Sequence, residues 1–213
     1  MKFFALTAEI NDIPPLRDLG AVDGIITQTA QMCQSPKDRH KILRMIASDI
    51  DGPVFTDITH PDAPAMIREA RALSALADTI AITLPITPAG LRACRSLSND
   101  GIMVNATLCF TAGQALLAAK SGAAFVSLAT PTGGDVPTPS IDDIAALYAL
   151  HDYDTQIIAV AHSAEHISQA AQNGAHCAAA PPDVFHALAH HPHTEAGLAA
   201  FFAEAEKTPL NSS

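Results

Sequence analysis

Short apolar, β-branched runs recur along the chain, and each is followed by a helix-start signal and an amphipathic stretch. The runs are KFFALT (2–7), GIITQT (24–29), PVFTDIT (53–59), IAITLP (80–85), IMVNATLCF (102–110), AFVSLAT (124–130), QIIAVA (156–161) and HCAAAP (176–181). They are continuously apolar over most of their length, the pattern of strands covered on both faces in a parallel sheet. Between them, EINDIPPLRDLG predicts a brief helix closed by Gly20, and Ser35 with Pro36 behind it opens a second. Met66, Ala70, Leu73 and Ala77 form one buried stripe of a third. Thr87 caps TPAGLRACRSLS, and TAGQALLAAKSG runs to Gly122. A Pro/Gly/Thr loop, PTGGDVPTPS, precedes IDDIAALYALH; Ser163 caps SAEHISQAAQNG, which Asn173 and Gly174 stop. PDVFHALAHH and a final helix, TEAGLAAFFAEAEK, close the pattern.

Eight strand–helix units follow one another with no polar linker between them. That count predicts an α/β fold: a (β/α)8 TIM barrel, compact and single-domain, over 1–207 with an extra C-terminal helix and a disordered tail at 208–213. An open doubly wound sheet is the alternative, because periodicity does not report closure. No Gly-x-Gly-x-x-Gly or phosphate-loop pattern supports a nucleotide site.

Composition narrows the picture. The 213 residues are 48% hydrophobic with no Trp, which favours helices packed on a buried sheet. A formal charge of -10 argues against nucleic acid or an acidic membrane surface as partner. No apolar run approaches the ~20 residues of a membrane span, and MKFFALTAEINDIPP reads as a first strand rather than a signal peptide. Cys33, Cys94, Cys109 and Cys177 lack C-x-x-C spacing and read as reduced core thiols of a cytoplasmic protein. No cofactor is implied.

In a barrel the chemistry gathers at the C-terminal ends of the strands. Thr7, Gln28, Thr29, Asp57, Thr59, His60, Thr83, Asn105, Thr107, Ser127, Thr130 and His162 fall there. Asp57 and Thr107 are the candidate catalytic groups, since a carboxylate in an apolar barrel is a candidate base. Gln28, Thr83, Asn105, Ser127 and His162 are candidate ligand-binding residues that hydrogen-bond a carbonyl or hydroxyl. Asp57, His60 and His162 form a conceivable metal triad, but His60 before Pro61 reads as a solvated helix entry, and no metal is assigned.

The segments MKFFALTAEI, LGAVDGIITQ, DGPVFTDIT, ALADTIAITLPIT, SNDGIMVNATLCFTAGQALLAAKSGAAFVS, DTQIIA and HHPHTEAGLAAFFAE resemble the small transaldolase and fructose 6-phosphate aldolase family. The resemblance implies a (β/α)8 barrel, often assembled as pentamers or decamers, in which a strand-four lysine forms a Schiff base with a ketose. It also implies a strand-one aspartate, an acidic or amide group on strand three and a threonine on strand five. Arginine and serine after strands six and seven would hold a phosphate. This chain departs from that pattern at its centre. The lysine position corresponds to Thr83 and the aspartate position to Leu6; the motif after strand two reads ITQTA, and neither LATPTGGD nor AHS carries an arginine. The expected function is therefore a divergent relative that binds or transforms a small unphosphorylated carbonyl or polyol compound, or else a catalytically inactive scaffold.

Overall fold

The computed structural model describes residues 1–27, 36–128 and 140–207. Eight parallel strands close into a barrel in sequence order: β1 (Lys2–Leu6), β2 (Gly24–Ile26), β3 (Val54–Asp57), β4 (Ile80–Pro85), β5 (Val104–Cys109), β6 (Phe125–Leu128), β7 (Gln156–Val160) and β8 (Cys177–Ala180). β1 pairs with β8 from Lys2↔Cys177 to Ala5↔Ala180, so the sheet has no free edge and the open-sheet alternative is excluded.

The helices are α1 (Ile13–Leu19), α2 (Pro36–Asp49), α3 (Ala63–Ser74), α4 (Pro88–Asn99), α5 (Ala112–Lys120), α6 (Ile141–Leu150), α7 (Ala164–Gln172), α8 (Pro182–Leu188) and α9 (Pro192–Lys207). Their boundaries follow local chemistry. Gly20 ends α1 at φ 66, where its lack of a Cβ makes the left-handed turn free of strain. The hydroxyls of Thr87 and Ser163 accept from Gly90 N–H and His166 N–H, as expected of caps. Thr111 and Gln114 add a reciprocal capping box at α5. Met66, Ala70 and Leu73 bury one face of α3, but the helix stops at Ser74, so Ala77 packs on the core from beyond it. Ser35, the other expected cap, lies outside the described residues.

Two apolar regions result. One lies between strands and helices, with Ala5, Ile25, Ile82, Val104 and Ile157 among the strand residues that face it. The other fills the barrel and is built on Phe4, Phe55 and Phe125, whose ring centroids lie 5.2–5.8 Å apart in tilted and edge contacts. These rings plug the lower barrel and form the floor on which the mouth rests.

Candidate active site

Interior side chains alternate along each strand, and in a tilted barrel they stack in layers of four drawn from alternate strands. Strand tilt places each registered partner on the next strand about one residue lower along the axis. Following the registered pairs, Phe4, Phe55, Asn105 and Ile158 make one layer, with Ile26, Thr83, Ser127 and Ala179 above it. The uppermost interior layer is Leu6, Asp57, Thr107 and Val160.

The polar members are contiguous. Asp57, Thr83 and Asn105 are registered partners on β3, β4 and β5, and Ser127 follows on β6. Ser127 Oγ donates to Asn105 Oδ1 at 3.0 Å, and Asn105 Nδ2 reaches Thr83 Oγ1 at 3.5 Å. All three side chains are buried. The first bond is of ordinary length and the second is at the weak limit, so the Thr83 hydroxyl is held loosely. Donation runs from Ser127 through Asn105 to Thr83, which leaves the Thr83 proton for a further acceptor on the Asp57 or mouth side. The sequence-predicted residues Asp57, Thr83, Asn105, Thr107 and Ser127 are thus brought to one side of the barrel.

Others are placed elsewhere. Thr7 turns to the β1–α1 connection, where its hydroxyl bonds Asp12 Oδ2 at 2.5 Å and accepts from Glu9 N–H at 3.1 Å. His162 is exposed beyond β7, its ring 6.5 Å from that of His166 and its N–H donating to His166 Nδ1 at 3.4 Å. His60 is spent on Glu69, Nδ1 to Oε2 at 2.7 Å. No group of three His, Cys, Asp or Glu among the described residues is arranged to hold a metal ion. Gln28, Thr29 and Thr130 lie outside the described residues.

One buried group at the site gives no sign in strand or helix periodicity. Arg39 of α2 reaches the outer face of β3, where Nη2 donates to Thr56 Oγ1 at 2.9 Å and to the Asp57 carbonyl oxygen. Its Nη1 donates to Glu69 Oε1 on α3 at 2.9 Å. Glu69 also accepts from Thr59 N–H at 3.0 Å and from the Thr59 hydroxyl. Burial works to raise the Glu69 pKa, but the hydrogen bonds from His60, Thr59 and Arg39 outweigh it and hold the carboxyl below its ordinary value. This couple anchors the backbone on both sides of the Asp57 side chain. A lone Arg39 in a polar helix face and a Glu69 one turn from Ala65 read as solvated residues in sequence, which is why periodicity overlooks them.

No lysine or arginine falls at the C-terminal end of a strand. Of five lysines, Lys2 opens β1 at the opposite end, where its Nζ stands 6.0 Å from the Phe125 ring centroid; Lys37 and Lys41 belong to α2, Lys120 to α5 and Lys207 to α9. All seven arginines belong to α1, α2, α3 and α4. Cys94, Cys109 and Cys177 are free and buried; burial pushes the thiols of Cys94 and Cys177 up to about 11, so neither is a nucleophile near neutral pH.

Three comparisons bear on this geometry. A family model described as Transaldolase/Fructose-6-phosphate aldolase matches residues 25–212. The chain is 43% identical over 215 residues to a probable transaldolase of Chelativorans sp. (strain BNC1), covering 98% of each chain. It is 45% identical over 208 residues to a probable transaldolase of Ruegeria pomeroyi, covering 96% of each. In fold alone it matches the thiamine phosphate pyrophosphorylase from Pyrococcus furiosus, with a TM-score of 0.62 at 12% identity over 86% of this chain and 87% of that one.

Proposed function

The chain belongs to the transaldolase/fructose-6-phosphate aldolase family, and we propose that it is a divergent member that handles a small unphosphorylated carbonyl or polyol compound without a Schiff base. The observation that carries this reading is Thr83 at the inward position of β4, registered between Asp57 and Asn105. A hydroxyl does not condense with a ketone to an imine, and no lysine falls at the C-terminal end of a strand. The helical placement of every arginine leaves no guanidinium in the segments after β6 and β7 to clamp a phosphate.

The arc instead suits a carbonyl oxygen. Thr83 donates to it while the Ser127–Asn105 bond holds the amide that orients Thr83. Asp57 serves as the group that takes a proton from, and returns it to, an atom beside that carbonyl, with Thr107 in the same layer as a hydrogen-bonding partner of the ligand. Gln28 and His162 join the ligand-binding set as sequence-based candidates. No metal or organic cofactor enters this scheme.

A second reading, an inactive relative that acts as an oligomeric scaffold, draws on α9. Its Leu198, Phe201 and Phe202 are exposed, the last two by 66% and 59%, and such an apolar helix suits burial against another copy of the chain. A homo-oligomer, pentameric or decameric as the family resemblance implies, is part of the proposal under either reading. So is a cytoplasmic location, on the strength of the three thiols that are free among the described residues. No described helix is long and apolar enough to cross a membrane.

Borohydride trapping with dihydroxyacetone, followed by mass spectrometry of the full chain, tests the central claim. The expected result is no lysine adduct, and a stoichiometric one overturns it. The double variant Thr83→Lys with Leu6→Asp is expected to trap the ketone; a folded variant that traps nothing means that Thr83 does not stand where the family places its lysine.

A further inference from the structure

The two upper layers of the barrel interior are divided the same way. On β3 to β6 they present Asp57, Thr83, Thr107 and Ser127, and on β7, β8, β1 and β2 they present Val160, Ala179, Leu6 and Ile26. Leu6 and Ile26 pack on the interior cluster yet stay partly exposed, and Val160 above it is 39% exposed. These apolar side chains therefore stand at the mouth rather than inside the plug.

A polyhydroxylated ligand needs hydrogen-bond partners around its whole perimeter. Each hydroxyl turned onto the Leu6, Ile26 and Val160 side chains loses its water and gains no hydrogen-bond partner from them. A ligand with one polar end and one hydrocarbon end meets both halves favourably. We infer that the mouth selects an amphiphilic carbonyl compound: its carbonyl lies on the Thr83 side and its alkyl or aryl portion lies on Leu6, Ile26 and Val160. This rests on the reading of the mouth as a small-carbonyl site and narrows it from carbonyl compounds and polyols to hydrocarbon-bearing ketones or aldehydes.

NMR titration of the full chain with acetone, 2-butanone, 2-pentanone and dihydroxyacetone tests it. Affinity is expected to rise roughly fourfold with each added methylene, the factor that corresponds to about 0.8 kcal/mol, and 2-pentanone is expected to bind more tightly than dihydroxyacetone. Val160→Asn, at a partly exposed position that tolerates a polar group, is expected to flatten the chain-length dependence; Leu6→Asn is the second probe of the same half. Thr83→Val is expected to weaken every ketone alike. Binding of dihydroxyacetone that depends on Thr83 without any gain from added methylenes overturns the amphiphilic inference and leaves the small-carbonyl reading standing. A length dependence indifferent to Thr83, or no binding of any probe, overturns both.

Discussion

The Ser127 hydroxyl donates to Asn105 Oδ1 at 3.0 Å, and that bond decides which way the Asn105 amide faces. With its oxygen held on β6, the amide nitrogen is turned to Thr83 on β4, so one asparagine links the strands on either side of it.

Replacing Asn105 by leucine, close to it in volume, removes both links and strands two buried hydroxyls. The expected loss is about 1–3 kcal/mol for the Ser127 hydroxyl alone, with less for Thr83, whose 3.5 Å contact is weak. Ser127→Ala is expected to cost about 1 kcal/mol, because the Asn105 oxygen loses one neutral partner. Urea unfolding of both variants checks the order; equal losses would mean that the amide is not the linking group.

The Arg39–Glu69 couple makes stability depend on acid. Glu69 has a folded-state pKa below its ordinary 4.5, so its contribution is fully present above that value. As pH falls below the ordinary value toward the lowered one, the folded protein must take up a proton against its hydrogen bonds, and the contribution is lost. Glu69→Gln is expected to flatten this part of the acid-unfolding curve. At neutral pH the same variant leaves Arg39, with a side chain 9% exposed, without its counter-charge. That is expected to cost about 3–5 kcal/mol. Thermal unfolding at a series of pH values from 7 downward reads both effects.

The barrel was legible because eight apolar runs are each followed by a helix-start signal, and local chemistry writes such starts at Thr87 and Ser163 and a stop at Gly20. The polar half of the mouth was legible too, since Asp57, Thr83 and Asn105 break otherwise apolar strands. The division of the mouth into halves was not. Leu6, Ile26 and Val160 look like any core residue until closure and tilt bring them into layers with Asp57 and Thr83. Closure is a tertiary event that no local period encodes. The irregularity in β5 is hidden for another reason. Strict alternation from Asn105 and Thr107 turns Cys109 inward, yet Cys109 packs in the outer core because the register slips between Ala106 and Cys109.

Gly90 is pressed against the end of the strand that carries Thr83. A Cβ added there would stand 2.0 Å from the Pro85 carbonyl oxygen, far inside contact distance. Alanine favours a helix over glycine by about 1 kcal/mol, but this clash is with backbone and cannot be relieved by a rotamer change. Gly90→Ala is therefore expected to be destabilising by about 1–3 kcal/mol and to weaken ketone binding by shifting β4. A stabilised variant with unchanged binding would mean that the turn from Pro85 to Gly90 is slack.

Leu108 is the extra residue of the β5 irregularity, and it sits exposed at φ 59. A leucine in that left-handed region carries about 1–2 kcal/mol of strain. Glycine removes the strain, but its freer unfolded chain returns about 0.5–1 kcal/mol, so Leu108→Gly is expected to be neutral or stabilising by up to about 1.5 kcal/mol. A β-branched residue fits this conformation worse than leucine, and Leu108→Ile is expected to lose about 1 kcal/mol or more. The Cys109 thiol distinguishes strain from a change of register. Burial raises its pKa against an opposing backbone hydrogen bond at Thr111, and it is expected to stay unreactive toward a thiol reagent in the glycine variant. If Leu108→Ile instead exposes Cys109 to the reagent while the protein remains folded, the strained turn at 108 is what keeps Cys109 facing the outer core and Thr107 facing the mouth.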